Sequence, residues 1–93
     1  MSERKIKMIE LGEAFVALPG GPGTLEEITE VISLIRLNLI NQECYLMNIH
    51  GYYNHLEIFF DTMVEEGFMT VEERQKIHFV ESIGELELLI EKH

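Results

Sequence analysis

The sequence predicts an α/β fold, with a short parallel sheet of about three strands flanked by helices. Three observations carry this. Ala14–Leu18 is a continuous apolar run, the pattern of a strand covered on both faces, and Cys44–Ile49 reads as a second buried strand. Between and after them, apolar residues recur at three- and four-residue spacing, the signature of amphipathic helices. A Pro-Gly-Gly-Pro-Gly break separates the first run from the first helical stripe. Strands alternating with helices indicate parallel βαβ units.

Taken in order, residues 1–11 read as a helix or the end of one, with Ile6, Met8 and Ile9 apolar and Arg4, Lys5 and Lys7 basic. Ala14–Leu18 is the first strand, broken at Pro19–Gly23. A helix starts at Thr24, its buried stripe being Leu25, Ile28, Val31, Ile32 and Ile35. Cys44–Ile49 is the second strand and His50–Tyr53 a loop. Asn54 is expected to cap a helix running to about Glu66, with Leu56, Phe59, Phe60 and Met63 inward and Gly67 as its stop. A short helix follows Thr70, His78–Val80 forms a third strand, and Ser82 opens a last helix with Ile83, Leu86, Leu89 and Ile90 apolar. Residues 1–93 form a single unit without repeat or linker.

Composition limits the function. The 93 residues carry 17 acidic and 7 basic side chains, a net charge of -10, which repels a polyphosphate backbone and disfavours nucleic acid as a partner. No apolar run approaches the ~20 residues of a membrane helix, so no membrane partner is expected. His50, His55, His78 and His93 do not fall at metal-ligand spacing, and the lone Cys44 adds no cluster, so no metal is expected. A single cysteine forms no internal disulfide, which points to a reducing, cytoplasmic setting.

The glycine-rich break is where chemistry is expected. It joins a strand end to a helix start, the place where open α/β sheets bind ligands. Gly20, Gly21 and Gly23 let a ligand approach the backbone closely, and the first amides of the following helix favour an anion. The segment lacks the Gly-Lys-Ser/Thr of a nucleotide-hydrolase phosphate loop and is not GxGxxG. A plain strand-to-helix connection needs one glycine; three in four residues favour an anion site. Thr24 and Glu27 have capping-box spacing, repeated in Asn54/Glu57, Thr70/Glu73 and Ser82/Glu85. Spacing alone therefore favours Glu27 as a capping residue. Likewise, Arg4, Lys5 and Lys7 read by themselves as a solvated helix face, with an anion contact as the alternative.

Pro19-Gly20-Gly21-x-Gly23-Thr24-x-x-Glu27, preceded by Met1-x-x-Arg4-Lys5-x-x-Met8, resembles the Lonely Guy family of cytokinin riboside 5'-monophosphate phosphoribohydrolases, long labelled lysine decarboxylases. The resemblance continues through Gly51-Tyr52-Tyr53-Asn54 and Val64-Glu65-Glu66-Gly67-Phe68, spanning essentially the whole chain. It implies Arg4 and Glu27 as the catalytic pair, with Lys5, Gly20, Gly21, Gly23 and Thr24 holding the substrate and its 5'-phosphate. It implies hydrolysis of an N-glycosidic bond in an AMP-like nucleoside 5'-monophosphate, releasing an adenine-type base and ribose 5-phosphate. No cofactor is implied, and a homodimer or higher homo-oligomer is. A pyridoxal-dependent decarboxylase needs a Schiff-base lysine, and none of Lys5, Lys7, Lys76 and Lys92 has an evident pocket context.

The chain departs from the family pattern at Ser2, where histidine is usual, at Leu34, where tryptophan is common, and at Pro22, which removes an amide donor from the loop. The matched family position of Met1 is internal. The chain is therefore expected to be the C-terminal half of a Rossmann-like three-layer fold whose N-terminal half is absent. The alternative function is a truncated, inactive nucleotide- or phosphate-binding module that associates through exposed apolar surface and an open sheet edge.

Overall fold

The apolar run at the start of the chain becomes the spine of a four-stranded sheet in the computed structural model, which describes residues 8–12 and 14–91. Strands β1 (Met8–Leu11), β2 (Ala14–Ala17), β3 (Glu43–Met47) and β4 (Ile77–Val80) lie side by side in that order. The three expected strands are β2, β3 and β4, and they are parallel. Phe15 pairs with Cys44, and Cys44 with Ile77, in a register that brings their carboxyl ends to one rim.

β1 is a correction to the sequence reading. The helix expected over residues 1–11 is a strand at Met8–Leu11, antiparallel to β2 with Ile9 opposite Val16; residues 1–7 lie outside the described residues. The apolar Ile9 and Leu11 flanking Glu10 follow the two-residue period of a strand, and Gly12 at φ 54 reverses the chain into β2. The sheet is therefore mixed, with an antiparallel edge on a parallel body.

Helices α1 (Pro22–Arg36), α2 (Asn54–Glu65), the single-turn α3 (Val71–Arg74) and α4 (Ile83–Glu91) complete the chain, with one 3-10 turn at Ile49–Gly51. Both parallel crossovers step the same way along the sheet, so a common handedness places α1 and α2 on the same face. There Ile28, Val31, Ile32 and Ile35 of α1 and Phe60 of α2 pack on Ala17, Cys44, Leu46 and Ile77. The opposite face carries Ala14, Val16, Tyr45, Met47 and Val80 under Leu86 of α4. Alternate residues of each strand thus serve alternate cores, as strand geometry requires. This is a three-layer α/β arrangement.

The helix ends follow local chemistry. Gly67 at φ 85 stops α2, with the Phe68 amide donating to the Met63 carbonyl and the Gly67 amide to Val64. Of the four cap-like pairs, only Thr70/Glu73 closes a complete box. Ser82 caps the Glu85 amide, while the Glu85 carboxylate takes the Glu81 amide instead. Asn54 does not cap α2: it is the first helical residue, and its side chain is engaged with Asn48. Three residues expected inward, Leu25, Phe59 and Ile83, are exposed. Phe59 and Phe60 are about 100° apart on the helix, and Phe60 is the one that meets the sheet.

Candidate functional site

The site is built at the carboxyl rim of β2 and β3. β2 ends at Ala17, and Leu18–Gly21 leads directly into α1. The helix begins at Pro22, two residues earlier than its sequence predicted, because proline at the first position has a helical φ and no amide to leave unpaired. This shifts the capping position to Gly21, which has no side chain to cap with. Thr24 becomes the third helical residue and is buried, at 5% exposed. The expected Thr24/Glu27 capping box is therefore not formed, and Glu27 is not committed to the helix end.

Neither Gly21 nor Gly23 has positive φ, and a Cβ at either position would meet nothing within 4 Å. Backbone strain and internal packing thus leave both glycines unexplained. What they provide is open space above the helix start, where Gly23 and Thr24 carry the amides that have no partner within the helix. Glu27 follows Gly23 by four residues, about 6 Å along the axis and on the same face. It lines an open cleft of about 280 Å³ with Glu10, Phe15, Glu30, Val31 and Leu34. Gly21, Gly23, Thr24 and Glu27 thus lie at the cap and within the first two turns of one helix, with Gly23 and Glu27 on a common face. Arg4 and Lys5 lie outside the described residues.

Sequence reasoning missed what holds the loop. The Tyr53 hydroxyl donates to the Leu18 carbonyl at 2.7 Å, and the Tyr52 hydroxyl donates to the Gly20 carbonyl. The two rings meet edge to face with centroids 5.0 Å apart. They are presented by a turn with His50 at φ 54 and Gly51 at φ 72. Asn48, 5% exposed, organises that turn: its Oδ1 accepts the Tyr53 amide at 2.6 Å and its Nδ2 donates to Asn54 Oδ1 at 2.8 Å. Burial pushes the Tyr53 phenol up to about 12, the neighbouring Tyr52 and Cys44 add to this, and a backbone hydrogen bond from Gly20 opposes it. The available signal was Gly51-Tyr52-Tyr53-Asn54 itself, since two tyrosines after a buried strand need hydroxyl partners.

Other polar clusters serve the fold. Arg74 donates to Asp61 at 2.7 Å and to the Ile77 carbonyl at 2.8 Å, and its guanidinium lies 5.4 Å from the Phe79 ring centroid. This ties α3 to α2 and β4. Glu43 and His78 meet at 2.7 Å at the amino end of the sheet, with His78 stacked on Tyr45, so they stand away from the loop rim. Burial pushes the Cys44 thiol up to about 12, which keeps it protonated and unreactive.

A family model described as possible lysine decarboxylase matches residues 1–89. The chain belongs to this family, known as Lonely Guy. Family relatives include a probable cytokinin riboside 5'-monophosphate phosphoribohydrolase LOG4 from Oryza sativa subsp. japonica, 44% identical over 86 residues, covering 92% of this chain and 37% of the relative. Cytokinin riboside 5'-monophosphate phosphoribohydrolase LOG4 of Arabidopsis thaliana is 43% identical over 93 residues, covering 100% of this chain and 43% of the relative. LOG1 of Arabidopsis thaliana, bearing the same enzyme name, is 45% identical over 86 residues, covering 92% and 40%. The chain thus spans about two-fifths of the length of these family members.

Proposed function

We propose that this chain carries the phosphate loop and the acidic residue of a nucleoside 5'-monophosphate phosphoribohydrolase. The observation that carries the reading is the open space at Gly21 and Gly23 at the start of α1, with Glu27, free of a capping box, one turn beyond Gly23 on the same face. In this reading the 5'-phosphate sits against the Gly21, Gly23 and Thr24 amides, stabilised by the positive end of the helix dipole. Gly20, whose carbonyl is taken by Tyr52, anchors the loop. One helical turn then carries the ribose from its phosphate to Glu27.

Cleavage of the N-glycosidic bond develops positive charge on the sugar ring, as in other glycoside hydrolyses. Glu27 stabilises that charge and activates the attacking water. Arg4 orients Glu27 and neutralises charge at the phosphate end, and Lys5 adds a second cation for the substrate. Phosphate binding supplies the remote energy that positions the reacting bond. The relatives' names support a cytokinin riboside monophosphate as substrate, and therefore a free adenine-type base and ribose 5-phosphate as products.

The test is a product assay on AMP and N6-prenyl-AMP. Glu27→Gln is expected to lower turnover by about 10²–10⁴-fold, and Arg4→Ala to lower it strongly as well. Because Glu27 forms no capping box, Glu27→Gln should leave the melting temperature unchanged. Equal turnover in all three proteins would reject the assignment.

A second reading, an inert phosphate-binding assembly module, is favoured by exposed apolar side chains. Ile58 and Phe59 on α2 are 61% and 56% exposed, and Phe68 is 83% exposed. It expects a dimer or larger species in light scattering, a thermal shift with AMP, and no products. A monomer with no thermal shift would reject it.

A further inference from the structure

We propose that Tyr52 is a positioning residue for the anion site, setting the orientation of the Gly21 amide; this rests on the phosphate reading above. In a trans peptide the carbonyl of one residue and the amide N–H of the next point in opposite directions. The Tyr52 hydroxyl holds the Gly20 carbonyl from the side of the Ile49–Tyr53 turn. The Gly21 N–H, on the same peptide unit, is thereby turned the other way.

That direction matters because the loop is short of donors. Pro22 contributes none, so the helix start offers an anion only the Gly23 and Thr24 amides of its first turn. Fixing the Gly20–Gly21 peptide adds a third. Without the phenol, this peptide lies between two glycines of a sequence that permits wide rotation, and the orientation must be established on binding. Tyr53 secures the loop two peptides earlier, at Leu18, where the next residue is Pro19 and the peptide has no amide to aim. The two adjacent tyrosines therefore have different tasks. Tyr53 is buried at 6% exposed and holds the loop to the core, while Tyr52 is 54% exposed and acts on the donor set.

The experiment is a titration of ¹⁵N-labelled chain with ribose 5-phosphate, following the Gly21, Gly23 and Thr24 amides, with melting temperatures recorded in parallel. In the unmodified chain all three signals should shift together. Tyr52→Phe removes one hydroxyl and should raise the dissociation constant about fivefold, with the Gly21 response reduced most and melting nearly unchanged. Tyr53→Phe, the comparison, should lower the melting temperature and leave the Gly21 response in place. In the enzyme assay the Tyr52→Phe loss should fall on KM rather than kcat. An unchanged dissociation constant in Tyr52→Phe overturns the proposal while leaving the phosphate site standing. So does unfolding of that variant, or a binding loss that tracks melting equally in both variants. Absence of any loop shift in the unmodified chain refutes the phosphate reading itself, and the role of Tyr52 with it.

Discussion

Gly51→Ala tests the turn that presents the two tyrosines. Gly51 has φ 72, and a Cβ there would stand 2.7 Å from Asn54 Nδ2 and 3.3 Å from Asn54 Cγ. A left-handed conformation costs a non-glycine residue about 1–2 kcal/mol, offset by about 0.4–1 kcal/mol from the stiffer unfolded chain. The Asn54 side chain must also move, which breaks the bond that its Oδ1 accepts from Asn48 at 2.8 Å. That bond is worth about 1 kcal/mol. The expected total is about 2 kcal/mol, or a melting temperature lower by roughly 10 °C for a chain of this size.

Gly67→Ala is the internal control. Gly67 has φ 85, but nothing lies within 4 Å of its Cβ position, so strain acts alone and the cost should stay near 1 kcal/mol. Urea unfolding followed by far-ultraviolet circular dichroism measures both. In an Asn54→Ala background the clash is gone, and Gly51→Ala should then cost no more than Gly67→Ala, a coupling of about 1 kcal/mol. Equal losses for the two glycines in the unmodified background, with no coupling to Asn54, would refute the reasoning.

Two further predictions follow from burial. Cys44 and Tyr53 are both held near 12 in the folded chain, against ordinary values of 9.0 and 10.0. Their stabilisation is complete below the unfolded values and is lost as pH rises toward 12, because the unfolded chain gives up those protons first. Cys44 alone should cost about 2 kcal/mol by about pH 10.5. Urea midpoints should therefore fall steeply above pH 9, and less steeply in Cys44→Ala; identical slopes would contradict this. Ile28, fully buried against the sheet, should lose about 2–5 kcal/mol on substitution by alanine. Ile58→Ala, on the exposed side of α2, should stay within about 0.5 kcal/mol.

The parallel strands were legible because each is built mainly of apolar residues, Ala14–Ala17 without a break: β2, β3 and β4 agree with the expected spans to within two residues at either end. β1 was misread because four residues are too few for a two-residue period to outweigh a basic, helix-forming neighbourhood. At α1, the Thr24/Glu27 spacing resembled a cap, but Pro22 had already begun the helix. The loop's position was visible in its glycines. Its support was not, since Tyr52 and Tyr53 act across 32 and 35 residues of chain and leave no local pattern.

Those same two bonds make the loop late to form. The loop at Leu18–Gly20 waits for residues 48–54 to be synthesised, for β3 to register beside β2, and for a long segment of chain to close. Contacts of such sequence separation develop slowly compared with the local hydrogen bonds of α1. During synthesis the helix that carries Glu27 is therefore available before the loop at its head is set. The emerging chain can thus form the helical turn bearing Glu27 before its Leu18–Gly20 loop is held, which waits for β3 to dock.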